Sequence, residues 1–231
     1  MLLFSYIVRS DNGFSPNPFH GCCTLACCKP GIRRTAGIGD WIAGLTSKCH
    51  GHKLAFAMCV GEALSIAEYW NDARFLKKRA NFNSPCGALG DNIYEPLEIG
   101  KTFRQHRSRH SLHNAKYPPG NPERYTEVED GALKKRDLSG ERVIISTEFV
   151  YFGTDAAVEL PDTLRTSMAV GRGYRNRFSP QILTDWQAFI ATLPRGIQGR
   201  SDIDDCLRPR ERRAECVAPK VTKVTRNSGD C

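Results

Sequence analysis

The chain has 231 residues, enough for one well-buried core, with 40% hydrophobic and 25% charged residues, the balance of an ordinary globular protein. A formal charge of +8 and a pI near 9.0 favour anionic partners and speed encounters with them, but fix no fold. No apolar run approaches the roughly 20 residues of a membrane-spanning helix, so a soluble, cytoplasmic protein is expected.

Leu2 to Arg9 reads as a first strand, not a signal peptide, because it lacks a basic start and a small-residue cleavage site. The stretch from Gly13 to Gly21, with Pro16, Asn17 and Pro18, is a stiff loop. Cys22 to Cys28 suits a short helix or turn stopped by Lys29-Pro30-Gly31. A strand over Trp41 to Thr46 follows, then a polar connection from Ser47 to Lys53 between antiparallel strands. The clearest strand is Lys53 to Glu62, where Leu54, Phe56, Met58 and Val60 alternate with small residues.

Ser65 opens a helix with Glu68 placed for a capping box, running through Tyr69 and Trp70. From Leu76 to Pro122 periodicity is poor, which predicts a long functional or partly disordered loop region. Within it, Lys101, Arg104, Arg107, Arg109 and Lys116 accompany three histidines without an acid, either a solvated run or a phosphate-facing loop. Val143 to Ser146 and Phe149 to Phe152 are two strands, or one with a bulge. Asp162 to Met168 and Pro180 to Leu193 are helical, and the second carries a core stripe of Ile182, Leu183, Trp186, Phe189, Ile190 and Leu193. The expected organisation is one domain over 1–193 and a weakly ordered basic tail over 194–231.

Ten cysteines raise the question of a disulfide framework. Cys22, Cys23, Cys27 and Cys28 crowd together and Cys59 sits in an apolar run, so reduced thiols are expected in a chain with a normal core. Cys23, Cys28, Cys49, His50 and His52 offer soft ligands, but without a standard zinc spacing, and no metal is expected. No cofactor is named by any motif: phosphate-cradling and dinucleotide fingerprints are absent.

Several segments form a family pattern. Ser5 to Arg9, Asp11 to Phe19, Cys23 to Arg34 and Gly39 to Gly44 together resemble the nucleotide modification associated domain 2 family. Further matches are Glu68 to Phe75, Gly90 to Tyr94, His110-Ser111, Asp137 to Gly140, Phe149 to Gly153 and Gly171 to Arg175. The resemblance covers roughly residues 2 to 178 and implies association with base-modification systems, often of phage type. A looser likeness to PUA and EVE domains implies an α+β fold: a β-barrel-type mixed sheet with flanking helices and a pocket for a modified base.

The residues offer matching chemistry. Cys28 stands beside Lys29, Arg33 and Arg34. Neighbouring cations favour a thiol's ionised, nucleophilic form, so Cys28 is either reactive or simply packed. The three cations either hold phosphate or form surface ion pairs. Asp11 and Asn17, in the stiff loop, can meet a base or ribose, or serve turn chemistry. Trp41 can stack on a base or fill the core. Asp91, Asn92, Arg172 and Arg175 are polar and Gly-flanked, and His110 is a general-base candidate without an assignable carboxylate.

Three readings follow. The first is a module binding a nucleotide or a modified nucleic-acid base in a DNA-modification or anti-phage setting. The second is an enzyme making or remodelling such a base through Cys28 or Asp11. The third is an assembly partner with no ligand of its own.

Overall fold

A computed structural model of the chain describes residues 1–9, 11–83, 87–98, 102–111, 116, 121–125 and 129–199. In chain order the elements are β1 (Leu3–Ile7), β2 (Cys23–Leu25), α1 (Pro30–Thr35), β3 (Trp41–Leu45), β4 (Leu54–Cys59), β5 (Glu62–Ser65) and α2 (Ile66–Asn71). Then come β6 (Tyr94–Glu98), β7 (Thr102–Gln105), α3 (Gly131–Leu138), β8 (Arg142–Ser146), β9 (Glu148–Tyr151), α4 (Asp162–Met168), α5 (Pro180–Ala191) and β10 (Gly196–Ile197).

Two sheets lie face to face. The larger is ordered β1-β3-β4-β9-β10 and the smaller β2-β8-β5, while β6 and β7 form a separate hairpin. β1 runs parallel to β3 with Leu3 opposite Trp41, and β4 runs antiparallel to both β3 and β9. One residue, Thr147, separates β8 in the small sheet from β9 in the large one, so a single step of chain links the two layers.

Alternation along the strands divides the core. Phe4 and Tyr6 of β1, with Phe56 and Met58 of β4, fill the space between the sheets against Cys23, Leu25 and Ile144. Leu3, Ala43, Leu45, Ala57 and Val150 face the other way, onto Leu164 and Met168 of α4 and Trp186 and Ile190 of α5. The far side of the small sheet carries Val143 and Ile145 against Tyr69 of α2, Phe75 and Tyr94. The α5 stripe is therefore core, as its spacing predicts.

Leu54 departs from the expected β4 face. A register shift beside Leu45 places it opposite that residue, and it joins Leu45 on the helix side. The capping box is present in full: Ser65 Oγ accepts from Glu68 N, and Glu68 Oε2 accepts from Ser65 N.

Other expectations need correction. Among the described residues there is no closed barrel, since β1 and β10 are the edges of the large sheet and neither pairs with the small one. Cys23–Leu25 is a strand, because pairing with β8 outweighs the helical look of the cysteine run. The 76–122 region contains the β6–β7 hairpin, whose Pro96 and Glu95 obscure strand periodicity. β10, inside the expected tail, pairs with β9. The rest of that tail from 200 onward, like Lys101, lies outside the described residues. No helix among the described residues is long and apolar enough to cross a membrane.

Candidate functional site

The end of β1, the turn before α1, the turn at 47–52 and residues 170–174 enclose a cavity of about 840 Å³. Its walls carry Arg9, Lys29, Lys48, Arg136 and Arg172 together with His52, and no carboxylate lines it among the described residues. Arg136 reaches Asp137 Oδ1 only at 3.8 Å, whereas Arg9, Lys48 and Arg172 have no ion-pair partner among the described residues. Like charges gathered without counter-charges are costly in the empty protein and favour an anion.

One feature of the wall suits an aromatic guest. Tyr174 is 36% exposed, and its ring lies over Gly31, where an added Cβ would come within 2.8 Å of Cε1. Tyr6 Oη is buried without a hydrogen-bond partner among the described residues. Burial pushes that hydroxyl's pKa well above its ordinary value, with Cys28, Cys23 and Asp11 adding to the shift. The face of the same ring receives Lys29, whose Nζ is 4.1 Å from the centroid. Burial lowers the pKa of Lys29, opposed by Cys28 and aided by Arg9.

Cys28 forms part of the same wall, and its backbone is strained. Cys28 (φ 59) and Lys29 (φ 40) are consecutive non-glycine residues in the left-handed region, directly before Pro30 starts α1. Behind Cys28 lies His110, with Sγ to Nε2 at 3.9 Å. The same Nε2 is 2.9 Å from Oδ2 of Asp137, and the imidazole stacks on Phe14 with centroids 4.7 Å apart. Asp137 is fully buried. Its Oδ1 accepts from Cys28 N at 2.9 Å and its Oδ2 from Tyr94 OH at 3.0 Å.

Burial opposes the charge on His110, but its contacts with Asp137 and Cys28 outweigh that cost and raise its pKa to about 9. Burial likewise works against ionised Asp137, yet its bonds to His110, Cys28 N and Tyr94 leave its pKa below the usual value. The donor atoms of Cys28, His110 and Asp137 all lie within 4.8 Å of one another. They are the set among the described residues that could hold a metal.

Of the sequence-predicted site residues, Cys28, Lys29 and Arg172 line the cavity, and His110 stands behind Cys28. Arg33 does not reach the cavity. It is fully buried, donating to the carbonyls of Cys28, Arg142 and Asp137. Arg34 is exposed and donates to Ser139 O. Arg175 pairs its backbone with Ser5 and lines an adjacent hollow of about 510 Å³.

The remaining predicted residues are buried away from the cavity. Asp11 Oδ1 accepts from Tyr151 OH at 2.6 Å and from Gly13 N at 3.2 Å. Asn17 donates to Leu89 O and accepts from Lys78 Nζ. Asp91 accepts from Thr24 Oγ1 and Tyr69 OH, and burial raises its pKa. Asn92 donates to Tyr69 O, and Trp41 packs edge-on against Trp186.

The cysteine and histidine pool considered for zinc is dispersed. Cys23 contacts Met58 Sδ in the core, and His52 faces Thr46 O. Cys49, exposed on a turn, is disulfide-bonded against the expectation of reduced thiols, while Cys22, Cys23, Cys27, Cys28 and Cys59 are free.

Sequence reasoning passed over Tyr6, Arg9, Lys48 and Arg136 in the wall, and Tyr94 and Asp137 behind it. Asp137 did carry a signal. An acid in the last turn of a helix opposes the helix dipole, so its place at the end of α3 needs another reason.

The family model for nucleotide modification associated domain 2 matches residues 1–206. No curated protein and no solved structure matches the chain.

Proposed function

The chain belongs to the nucleotide modification associated domain 2 family, and on that premise we propose that the cavity beside Cys28 binds a phosphorylated nucleotide or modified base. One observation carries this reading. Five Lys or Arg side chains from separate segments converge on one cavity that no carboxylate lines among the described residues. Its volume falls in the range of about 300–1,000 Å³ typical of small-molecule sites. The Tyr174 ring offers a face for a base. The setting implied by the family is DNA or nucleotide modification.

Isothermal calorimetry tests the reading with deoxynucleoside mono- and triphosphates, both ordinary and base-modified. Binding at low salt that weakens as salt rises is expected, because exposed charges are screened over about 10 Å at 0.1 M. An absence of heat across the panel, at low salt and with folded protein, would overturn the proposal.

The enzymatic reading has a specific support of its own: Cys28, the candidate nucleophile, stands in the cavity wall. Asp11 has no comparable support, since its carboxylate is engaged by Gly13 and Tyr151 beneath the surface.

A further inference from the structure

Behind the cavity wall, side chains from three distant segments end around one point. Cys28 Sγ lies 3.9 Å and Asp137 Oδ2 2.9 Å from the same atom, His110 Nε2. A proton relay from a thiol through an imidazole to an orienting carboxylate uses both ring nitrogens, one for each partner. Here one nitrogen faces both partners. The relay geometry is missing, and the three donors surround a common centre. We infer that Cys28, His110 and Asp137 form a Zn²⁺ site with one position open to the cavity.

The ligand chemistry fits that ion. Thiolate, imidazole and carboxylate are the donors zinc takes, and three protein ligands with one exchangeable position is the pattern of catalytic zinc. Bond lengths of about 2.0–2.3 Å in a tetrahedron separate the donors by roughly 3.3–3.5 Å. The separations from His110 Nε2 are 2.9 and 3.9 Å and all three donors lie within 4.8 Å of one another, so the side chains close on the ion to complete the shell. One thiolate and one carboxylate cancel the ion's charge, so zinc adds nothing to the cationic field of the cavity.

The surroundings orient these ligands as outer contacts do in metal sites. Tyr94 OH and Cys28 N hold the two oxygens of Asp137, and Phe14 backs the His110 ring. Arg33 fixes the main-chain carbonyls of both Cys28 and Asp137. The left-handed backbone falls on the residue that supplies the sulfur. The fourth position would take water or an oxygen of the cavity's occupant.

The experiment uses the full chain, purified without chelator or histidine tag, with metal measured by mass spectrometry. One zinc per chain is expected. Replacement by Co²⁺ should give a thiolate-to-cobalt charge-transfer band in the near ultraviolet. Cys28→Ser should abolish the band, and His110→Ala should lower zinc occupancy at least tenfold at a fixed chelator concentration. His50→Ala, on the exposed 47–52 turn, should keep both signals. Circular dichroism checks that each variant is folded. A folded wild-type chain that neither retains zinc nor gives the cobalt band overturns the site, as does full zinc occupancy in Cys28→Ser. Neither outcome bears on nucleotide binding, which is measured separately in chelator-treated protein.

Discussion

Arg33 Nε donates to the carbonyl oxygen of Cys28 at 2.9 Å, and the same guanidinium reaches the carbonyls of Arg142 and Asp137. A fully buried cation here ties α1, the end of α3 and the start of β8 to the turn that carries the cavity cysteine. Burial lowers the pKa of Arg33, while the nearby Cys27, Asp137, Cys28 and Tyr94 oppose the shift.

Arg33→Lys is therefore not conservative. A lysine presents one compact ammonium and cannot span three carbonyls set around a planar fork. Buried hydrogen bonds from charged groups contribute about 1.5–3 kcal/mol each. A loss of about 2–4 kcal/mol in urea unfolding is expected, with wild-type secondary structure retained below the transition. A change within about 0.5 kcal/mol, the scatter of ordinary surface substitutions, would contradict the bracing role.

The His110–Asp137 pair makes stability depend on pH in metal-stripped protein. The folded pKa of His110, about 9, lies above the unfolded value of about 6.5. Its contribution is full below about pH 6.5 and fades as pH rises toward 9, because the unfolded chain gives up that proton first. Asp137 is shifted down, so the same attraction also fades below about pH 4. The shift corresponds to roughly 3 kcal/mol. His110→Gln should cost about that much at pH 6 and little at pH 9.5, both read from denaturant midpoints. An equal cost at the two pH values would remove the ion pair from the account.

Local features were legible in the sequence and long-range ones were not. Ser65 and Glu68 sit three apart and specify their own cap, and the α5 stripe needs one helix to be seen. β2 is three residues long, too short to display a period, and was visible only through its pairing with β8. The site is harder still. Cys28 meets His110 across 82 positions and Asp137 across 109, so no window of sequence holds the constellation. The family pattern did contain the parts, as Cys28, Tyr94, His110 and Asp137 each fall in a matching segment. The cavity's cations likewise come from separate segments, whereas the described residues of the conspicuous basic run contribute none of them. Burial was the decisive unknown for Arg33, which in sequence is indistinguishable from its exposed neighbour Arg34.

Gly140 tests the brace from the opposite side. A Cβ added there would lie 2.3 Å from Cζ and Nη2 of Arg33. The guanidinium ends a flexible chain, but its bonds to three carbonyls leave it nowhere to retreat. Gly140→Ala should cost about 1–3 kcal/mol, the usual range for overpacking. In the Arg33→Met background the added methyl meets no tethered guanidinium, so the two effects should be non-additive. Simple additivity would show that the two residues do not communicate.

Reversing charge in the cavity should weaken anion binding. Arg172→Glu and Lys48→Glu each replace a wall cation that lacks an ion-pair partner among the described residues. Each should lower nucleotide affinity about tenfold or more at low salt, the scale of one charge-assisted hydrogen bond. Arg165→Glu on α4, which does not line the cavity, should leave affinity unchanged while losing its surface contact with Asp162. Equal effects from all three would mean that net charge, and not the cavity, governs binding.

The cysteines separate by environment, which gives a chemical test of the wall. Cys23 and Cys27 are fully buried, and burial raises the pKa of both thiols. Both should resist iodoacetamide at pH 8 until the protein unfolds, because the attacking species is the thiolate. Cys28 is half-buried, lines the cavity and stands beside His110, which carries its proton at neutral pH. In metal-stripped protein it should alkylate under native conditions, at a rate read by peptide mass spectrometry. Saturating nucleotide should slow that rate by covering the wall, and bound zinc should slow it by holding the sulfur. Cys59, half-buried and apart from the cavity, serves as the reference thiol and should respond to neither. Labelling of Cys28 at the same rate in all three states would place it outside both the proposed pocket and the proposed metal site.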